Sequence, residues 1–584
     1  MNILYPFLIA LICFIVAYRF YARYIAKNLG ENPDRITPAV EKNDGVDYVP
    51  TPAPVLFAHH YATIAGAGPI IGPTLGILYG VGPVWLWIVI GGIFFGAVHD
   101  YSALFASIRE KGSSMAEIAR KALGESGFMM FIVFTAIMLL LVTSAFLSLT
   151  AVSLTSLWPI EKLGLEHGQT LLNTTTVDGQ EMGIIGGIAS TSVIVITAIA
   201  PLLGFLIFKK HLKTSLSFVL AAVVCLVSIY IGFKFPVSIS GFAWMIIISI
   251  YVLIASGLPV WFILQPRDFI NVQILYAGLG IIMLSVIIGG FTGLTTSAMP
   301  ALNLAEGSRH MGPVWPILFI IVACGAISGF HALVAGGTSS KQLAREPQAK
   351  SIGYGAMLLE SVLAVLVVVA IASSLSHHDY MAITWPETGS GNPILAFALA
   401  VGHLVNHSLG IPTALGSIIG ILMVEGFVVT TLDSAVRLNR YIFEEFWGRI
   451  FKQVPTICKQ YWFNSGLSVV LMFVLAISNG YKLIWPVFGA SNQLLAALTL
   501  IAVSAWLNLA GRKNWFTVIP AVIMLITTIA SLLYYLVARY IPSHNIVLAV
   551  TDLILLGLSA GVVVQAFRKT FFSGKSGHKS AVSA

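Results

Sequence analysis

The chain has 584 residues, 57% of them hydrophobic and 10% charged, with a mean hydropathy of +0.90 and a net charge of +8. Soluble domains carry roughly 25% charged residues, so a soluble globular protein is excluded, and the lack of short alternating strands argues against a membrane barrel. The chain is expected to be an all-α polytopic membrane protein, and its positive charge bears on membrane orientation rather than on nucleic acid, which is not an expected partner.

Apolar stretches long enough to cross a lipid bilayer fall near residues 3–18, 57–80, 83–108, 127–157, 184–208, 214–233, 239–265, 270–292, 314–340, 352–375, 412–436, 461–479, 484–510, 515–538 and 545–567. The first lacks a basic start and a small-residue cleavage site, and Arg19 and Arg23 follow it, so it reads as an anchor rather than a cleaved signal. The linkers are short. Residues 109–126 read as an amphipathic surface helix, and no linker hides a soluble domain. When the connections alternate sides, 27 of the 32 Lys and Arg fall on one side and 5 on the other. The rich side is cytoplasmic by the positive-inside rule, with the N-terminus outside and the C-terminus inside. Residues 392–411, "NPILAFALAVGHLVNHSLGI", are apolar enough to cross, but a crossing there would place Arg437 to Lys459 outside. They read as a helix lying at or dipping into the outer face. The four cysteines (Cys13, Cys225, Cys324, Cys458) are scattered and fit neither a disulfide framework nor a metal knuckle.

One stretch is a poor membrane helix. "HHYATIAGAGPIIGPTLGILYG", residues 59–80, holds five glycines, Pro69 and Pro73, and opens on His59 and His60. Gly72, Gly76 and Gly80 suit close helix packing; "GAGP" with Pro69 instead predicts a break. A counterpart is read in 239–265, where Ser256, Gly257 and Pro259 interrupt "IASGLPVW". The two segments cross in opposite senses. Two sets of five spans in opposite orientations, each opened by an interrupted helix, form the pattern of an inverted-repeat transporter. This 5+5 arrangement, first and sixth helices broken, predicts a ten-helix core at 57–440 with repeats 57–237 and 238–440. It is preceded by an N-terminal helix and linker (1–56). A cytoplasmic loop (441–460) and about four C-terminal helices with a basic tail (461–584) follow. The breaks would lend free N–H groups near Gly66, Ala67, Gly68 and Pro69, and near Ser256, Gly257 and Leu258, to an anionic solute at mid-membrane.

"HHYATIAGAGPIIGPTLG" (59–76), "LPVWFILQPRDFIN" (258–271), "CGAISGFHALVAGGTSSKQLA" (324–344), "TTLDSAVRLNRY" (430–441) and "WPVFGASNQLLAALTL" (485–500) together resemble the carbon starvation protein A family. The resemblance implies a multi-pass inner-membrane transporter of the amino acid–polyamine–organocation superfamily, with a core similar to that of the bacterial leucine transporter. It also implies uptake of peptides, or of pyruvate with protons. Family members more often carry Gln-Asp where this chain has His99-Asp100. In such folds a cation site forms between the first helix and hydroxyls of the eighth core helix. Counting places the 314–340 span there, with Ala65 and Gly66 carbonyls facing Thr338 and Ser339. Lys341 could instead supply a fixed positive charge, and interfacial capping remains open for this cluster.

Ionisable groups in spans mark proton or solute pathways. His titrates near neutral pH. Asp100 and Glu425 are candidates for proton coupling, His60 and His331 for solute contact. Asp433 precedes Arg437 by four residues and reads as a helical ion pair. Ser491, Asn492 and Gln493 read as interhelical hydrogen bonding outside the ten-span core. The function expected is secondary transport of a small carboxylate or short peptide, coupled to a proton or sodium ion, by a protein that is not an enzyme and needs no cofactor. Two alternatives stand beside it. One is transition-metal transport through His59, His60, His99, Asp100 and His331, since imidazole and carboxylate suit such ions. The other is an intramembrane hydrolase or nutrient sensor, for which no H-E-x-x-H and no nucleophile–base pairing is present. Walker A is absent as well.

Overall fold

The computed structural model describes residues 1–45, 47–387 and 391–572; the end of the expected basic tail, with Lys575 and Lys579, lies outside them. In hydrocarbon every backbone N–H and C=O needs a partner inside the protein, and a helix supplies these locally. The apolar stretches accordingly fold as helices. These are α1 (Leu4–Leu29), the bent pair α2 (Ala53–Ile64) and α3 (Gly68–Tyr79), α4 (Val81–Arg109), the surface helix α5 (Met115–Leu123) and α6 (Glu125–Leu154). Next come α7 (Ile185–Lys209), α8 (Thr214–Lys234), α9 (Gly241–Gly257) and α10 (Leu264–Phe291). A short α11 (Leu304–His310) leads to α12 (Val314–Ile321) and α13 (Phe330–Gly337), then α14 (Lys350–Ser374) and α15 (His377–Thr384). The chain closes with α16 (Pro393–Leu409), α17 (Thr413–Ile450), α18 (Tyr461–Ser478), α19 (Ile484–Leu509), α20 (Trp515–Tyr540) and α21 (Ile546–Phe572).

Among the described residues, 12 helices are long and apolar enough to cross a membrane, or 13 with the bent pair counted as one. The fifteen expected spans differ at three places. The 57–80 span is the pair α2–α3, bent by 41°. Pro69 falls in the first turn of α3, where its missing N–H has no helical partner to lose. The 239–265 span is the 17-residue α9, which ends at Gly257 before a turn into α10. Ser256, Gly257 and Pro259 therefore terminate a helix rather than break one mid-span. The second interrupted span is 314–340, where residues 322–329, "VACGAISG", are non-helical between α12 and α13.

These two interrupted spans pack antiparallel. An added Cβ on Gly68 would meet Cys324, one on Gly72 would lie 2.7 Å from the Ile321 carbonyl, and one on Gly76 would meet Val322 and Leu318. Residue numbers rise on one side as they fall on the other. The glycine stripe thus serves close approach, as four-residue spacing suggests, yet what it approaches is the other broken segment. Around this pair, α4 packs on α13 and α14 packs on α3, while α6, α9, α17 and α18 form a second packed group. The helix α16 runs antiparallel along the first half of α17, its Gly402 and Ala398 against Gly416 and Gly420. Like α9 it has 17 residues, at the short end of what can cross. The 158–183 linker departs from the all-α expectation: β1 (Leu157–Pro159), β2 (Thr174–Val177) and β3 (Gln180–Ile184) form an antiparallel sheet in the order β1-β3-β2.

Candidate functional site

The interrupted spans meet at a small cavity of about 10 Å³, lined by Gly66, Gly68, Cys324, Ser328 and Thr431, with Phe146, Phe330 and Phe488 among its walls. That is about the volume needed for one water. The loose ends are fastened by side chains from other helices. Thr431 Oγ1 on α17 donates to the Thr63 carbonyl near the end of α2, at 3.2 Å. Asn492 on α19 caps the start of α13: its Oδ1 accepts from the Phe330 N–H at 2.9 Å, and its backbone carbonyl accepts from the Gly329 N–H at 3.0 Å. Ser328 completes the cap through hydrogen bonds with the Asn492 amide.

Two buried ionic clusters flank this junction. In the first, Asp100 on α4 holds two imidazoles, His99 Nδ1 at 2.7 Å on Oδ1 and His331 Nδ1 at 2.7 Å on Oδ2. The other face of His331, Nε2, lies 3.4 Å from Glu360 Oε2 on α14. All four residues are within 1% of complete burial. The Nδ1 side of His331 is hydrogen-bonded to Asp100, while its Nε2 stands at ion-pair distance from Glu360 without a hydrogen bond. In the second, His59 on α2 binds Asp268 at 2.9 Å, and the neighbouring Arg267 binds Asp433 on α17 at 2.7 Å and Thr430 Oγ1 at 2.9 Å. Tyr251 on α9 donates to the same Asp433 oxygen at 2.9 Å. Isolated charges are very costly in an apolar interior, and each of these is matched.

The expected residues scatter among these sites. Gly66, Ala67, Gly68 and Pro69 lie at the first break, and His331 lies beyond the second. His60 is apart from both clusters, its Nδ1 2.7 Å from Ser339 Oγ. Ser339 therefore faces His60 rather than the Ala65 and Gly66 carbonyls, and Thr338 Oγ1 returns to its own Val334 carbonyl. The hydroxyl opposite the first break belongs to Thr431. Lys341 lies over the rings of Tyr48 and Tyr441, beside a cavity of about 400 Å³ on the Lys- and Arg-rich side; the buried fixed positive charge is Arg267, against Asp433 and Thr430 of α17. Ser256 donates to Ser465, Gly257 is covered by Tyr461, and the Leu258 carbonyl accepts from Arg437, so none of the three joins the first break. Arg437 also donates to the Ala255 carbonyl at 2.9 Å, which leaves Asp433 to Arg267 in place of the expected helical pair. Glu425 is fully buried, with Ser153 beside it.

Among the described residues no group of three or more His, Cys, Asp or Glu is arranged to hold a metal ion. His59, His60 and the Asp100 pair of imidazoles belong to separate networks. Sequence reasoning missed Arg267, Asp268, Thr431 and the cap made by Asn492, and it set Asn492 outside the core. An Arg-Asp pair directly after "FILQP", and the small-residue run "CGAISG" inside an apolar span, were the available signals.

Two interrupted spans crossing antiparallel inside a polytopic bundle, with buried ionic networks on either side, define a helical membrane protein built around a discontinuous-helix core. The chain belongs to the family "Carbon starvation protein CstA", whose model matches residues 2–392 and 387–531. It is 30% identical to the "Peptide transporter CstA" of Bacillus subtilis (strain 168) over 613 residues, 96% of each chain. It is 30% identical to the protein of the same name from Helicobacter pylori (strain ATCC 700392 / 26695), over 88% of this chain and 79% of that one. The "Pyruvate/proton symporter BtsT" of Escherichia coli (strain K12) is 29% identical over the same shares. Among solved structures, MhsT in complex with L-phenylalanine matches with a TM-score of 0.48 and 11% identity, covering 86% of this chain and 98% of that one. A mutant manganese transporter of Eremococcus coleocola matches with a TM-score of 0.47 and 10% identity, covering 90% and 99%.

Proposed function

We propose that this chain is a secondary active transporter of the inner membrane. It takes up a small carboxylate such as pyruvate, or a short peptide, with a coupling cation, its N-terminus outside and its C-terminus cytoplasmic. The observation that carries the reading is the antiparallel pair of interrupted spans whose ends meet at a small cavity, in a chain whose relatives are named for peptide and for pyruvate–proton transport. The start of α3 at the first break offers N–H groups to a carboxylate, whereas those at the start of α13 are already held by Asn492.

The contacts support an inverted 5+5 repeat with boundaries other than those first expected. One repeat is α2–α3, α4, α6, α9 and α10; the other is α12–α13, α14, α17, α18 and α19. Equivalent contacts recur: α2 rests on α10 through His59 and Asp268, and α12 rests on α19 through Phe319 and Gln493. Likewise α3 packs on α14 and α13 on α4. By this count the sixth helix is the interrupted 314–337 segment, the eighth is α17 with Thr430 and Thr431, and α7–α8 are an inserted pair.

The coupling ion is a proton in this reading. Asp100, His331 and Glu360 join α4, α13 and α14 through one imidazole between two carboxylates, so a proton gained or lost there changes how the second interrupted span is held. Arg267 sets a permanent charge against α17, next to the Asp268 that holds His59 of α2. The test is uptake of radiolabelled pyruvate and dialanine into proteoliposomes, with proton and sodium gradients imposed separately. Accumulation driven by the proton gradient alone is expected. Accumulation only with sodium removes the proton assignment, and none of either solute removes the transport reading. Counterflow returning unaltered substrate excludes hydrolysis.

A further inference from the structure

The inner ends of the two interrupted spans are fastened on one side and loose on the other. Just before α2, the Val49 and Thr51 N–H groups donate to the Lys341 and Gln342 carbonyls, at 3.1 and 3.0 Å. His60 Nδ1 on α2 lies 2.7 Å from Ser339 Oγ. On α10, Gln265 Nε2 donates to Gln342 Oε1 at 2.8 Å, and Asp268 holds His59. Thus α2, α10 and the segment that follows α13 are joined as one block. The other side of α13 differs. Among the described residues no hydrogen bond runs from α13 to α6 or α17, and towards α17 its Gly337 stands against Leu438. Beside that contact lies the cavity of about 400 Å³, with Phe131 of α6, Leu333 and Gly336 of α13 and Tyr441 of α17 in its lining.

We infer that this cavity is the cytoplasmic half of the solute pathway, and that solute leaves along the seam between α6, α13 and α17 rather than around α2. The same three helices line the small central cavity, through Phe146, Phe330 and Thr431, so each runs from one space to the other. On α13 the partition is a single turn: Phe330 lines the upper space and Leu333 the lower, about 4.5 Å along the axis. The lower cavity suits water. Lys341, Glu117 and Glu445 bring charges of both signs to its lining, and its volume equals about thirteen waters at ~30 Å³ each. A route around α2 would part His59 from Asp268 and leave a buried carboxylate short of a partner, which is costly. Parting α13 from α6 and α17 breaks no hydrogen bond among the described residues. The inference rests on the proposed orientation and deepens the transport reading by placing the way out of the centre.

The test ties each side in turn in the full chain. Thr51 and Leu343 pair as neighbours across the fastened side, and Gly337 and Leu438 touch across the loose one. Thr51→Cys with Leu343→Cys, and Gly337→Cys with Leu438→Cys, are oxidised in proteoliposomes, with each single variant as control. Uptake of radiolabelled pyruvate and dialanine is expected to stay within twofold with the first bond. With the second it is expected to fall at least tenfold and to return on reduction. Uptake undiminished by the 337–438 bond, or abolished by the 51–343 bond, overturns the route. Leu333→Cys needs no cross-link and stands if the paired variants do not fold. A charged, membrane-impermeant thiosulfonate should label it from the cytoplasmic side of inverted vesicles and not from the outer side of right-side-out ones. Absence of labelling from the cytoplasmic side also overturns the route. Labelling as expected in a chain that moves neither solute leaves the vestibule standing and removes the transport reading, whereas transport with Leu333→Cys unlabelled does the reverse.

Discussion

Arg267→Met is the sharpest perturbation the structure offers. The guanidinium is 1% exposed and lies 2.7 Å from Asp433 and 3.6 Å from Asp268, with Thr430 taking a further hydrogen bond. Removing it leaves Asp433 with only Tyr251 as a close donor and Asp268 with His59. Breaking one partner of a buried ion pair costs about 3–5 kcal/mol, most of it from the charge left behind, whereas replacing both partners with apolar groups is often near neutral. Arg267→Met alone is therefore expected to lose about 3–5 kcal/mol, and Arg267→Met with Asp433→Leu to recover most of that. Arg267→Lys keeps the charge but not the fork that reaches Asp433 and Thr430 together, and it should fall between them. Thermal unfolding of the purified variants, followed by size-exclusion fluorescence, reads the order. If the single variant melts with wild type, or the double variant melts no higher than the single, the charge matching described for this cluster is wrong.

Glu360→Gln removes one of the two carboxylates on His331; with one proton per carboxylate solute, a gradient of one pH unit sustains about tenfold accumulation, and the variant is expected to fall towards onefold while exchange of internal for external solute continues. Gly72→Val pushes side-chain atoms into the Ile321 carbonyl and is expected to abolish uptake, whereas Gly280→Val, where an added Cβ meets nothing within 4 Å, should leave uptake within twofold. Asn492→Ala removes the cap on α13 and should cost about 1 kcal/mol or more in thermal stability, with Asn492→Asp retaining the acceptor and recovering part of it. On the β1-β3-β2 sheet and the loop before it, hydrogen bonds to Glu181 and Glu161 raise the His167 value above that of a free imidazole, and the contact with His167 lowers Glu181. The pairing should protect the sheet from protease between the ordinary carboxylate and imidazole values, with protection lost as pH rises through the raised His167 value or falls through the lowered Glu181 value; cleavage rates across pH 3 to 9 measure it.

Span positions were legible because hydrocarbon thickness dictates the length of an apolar run. The first break was legible too, because "GAGP" combines glycine freedom with a proline that cannot continue the preceding helix. The second break was misplaced for the same reason. "SGLP" carries a proline and looked like a counterpart, yet its proline only follows the end of α9, while "CGAISG" has none and reads like ordinary helix packing. The partners of the buried charges were not legible at all. Asp100 and His331 are 231 residues apart, and His59 and Asp268 are 209 apart. Local spacing favoured Asp433 with Arg437, and tertiary packing overrode it by turning Arg437 towards the bare carbonyls at the end of α9.

The glycine stripe of α3 ties the two interrupted spans together mechanically. A Gly72 side chain would stand 2.7 Å from the Ile321 carbonyl, and Gly68 and Gly76 lie just as tightly against Cys324 and Val322, so a displacement of either span presses directly on the other.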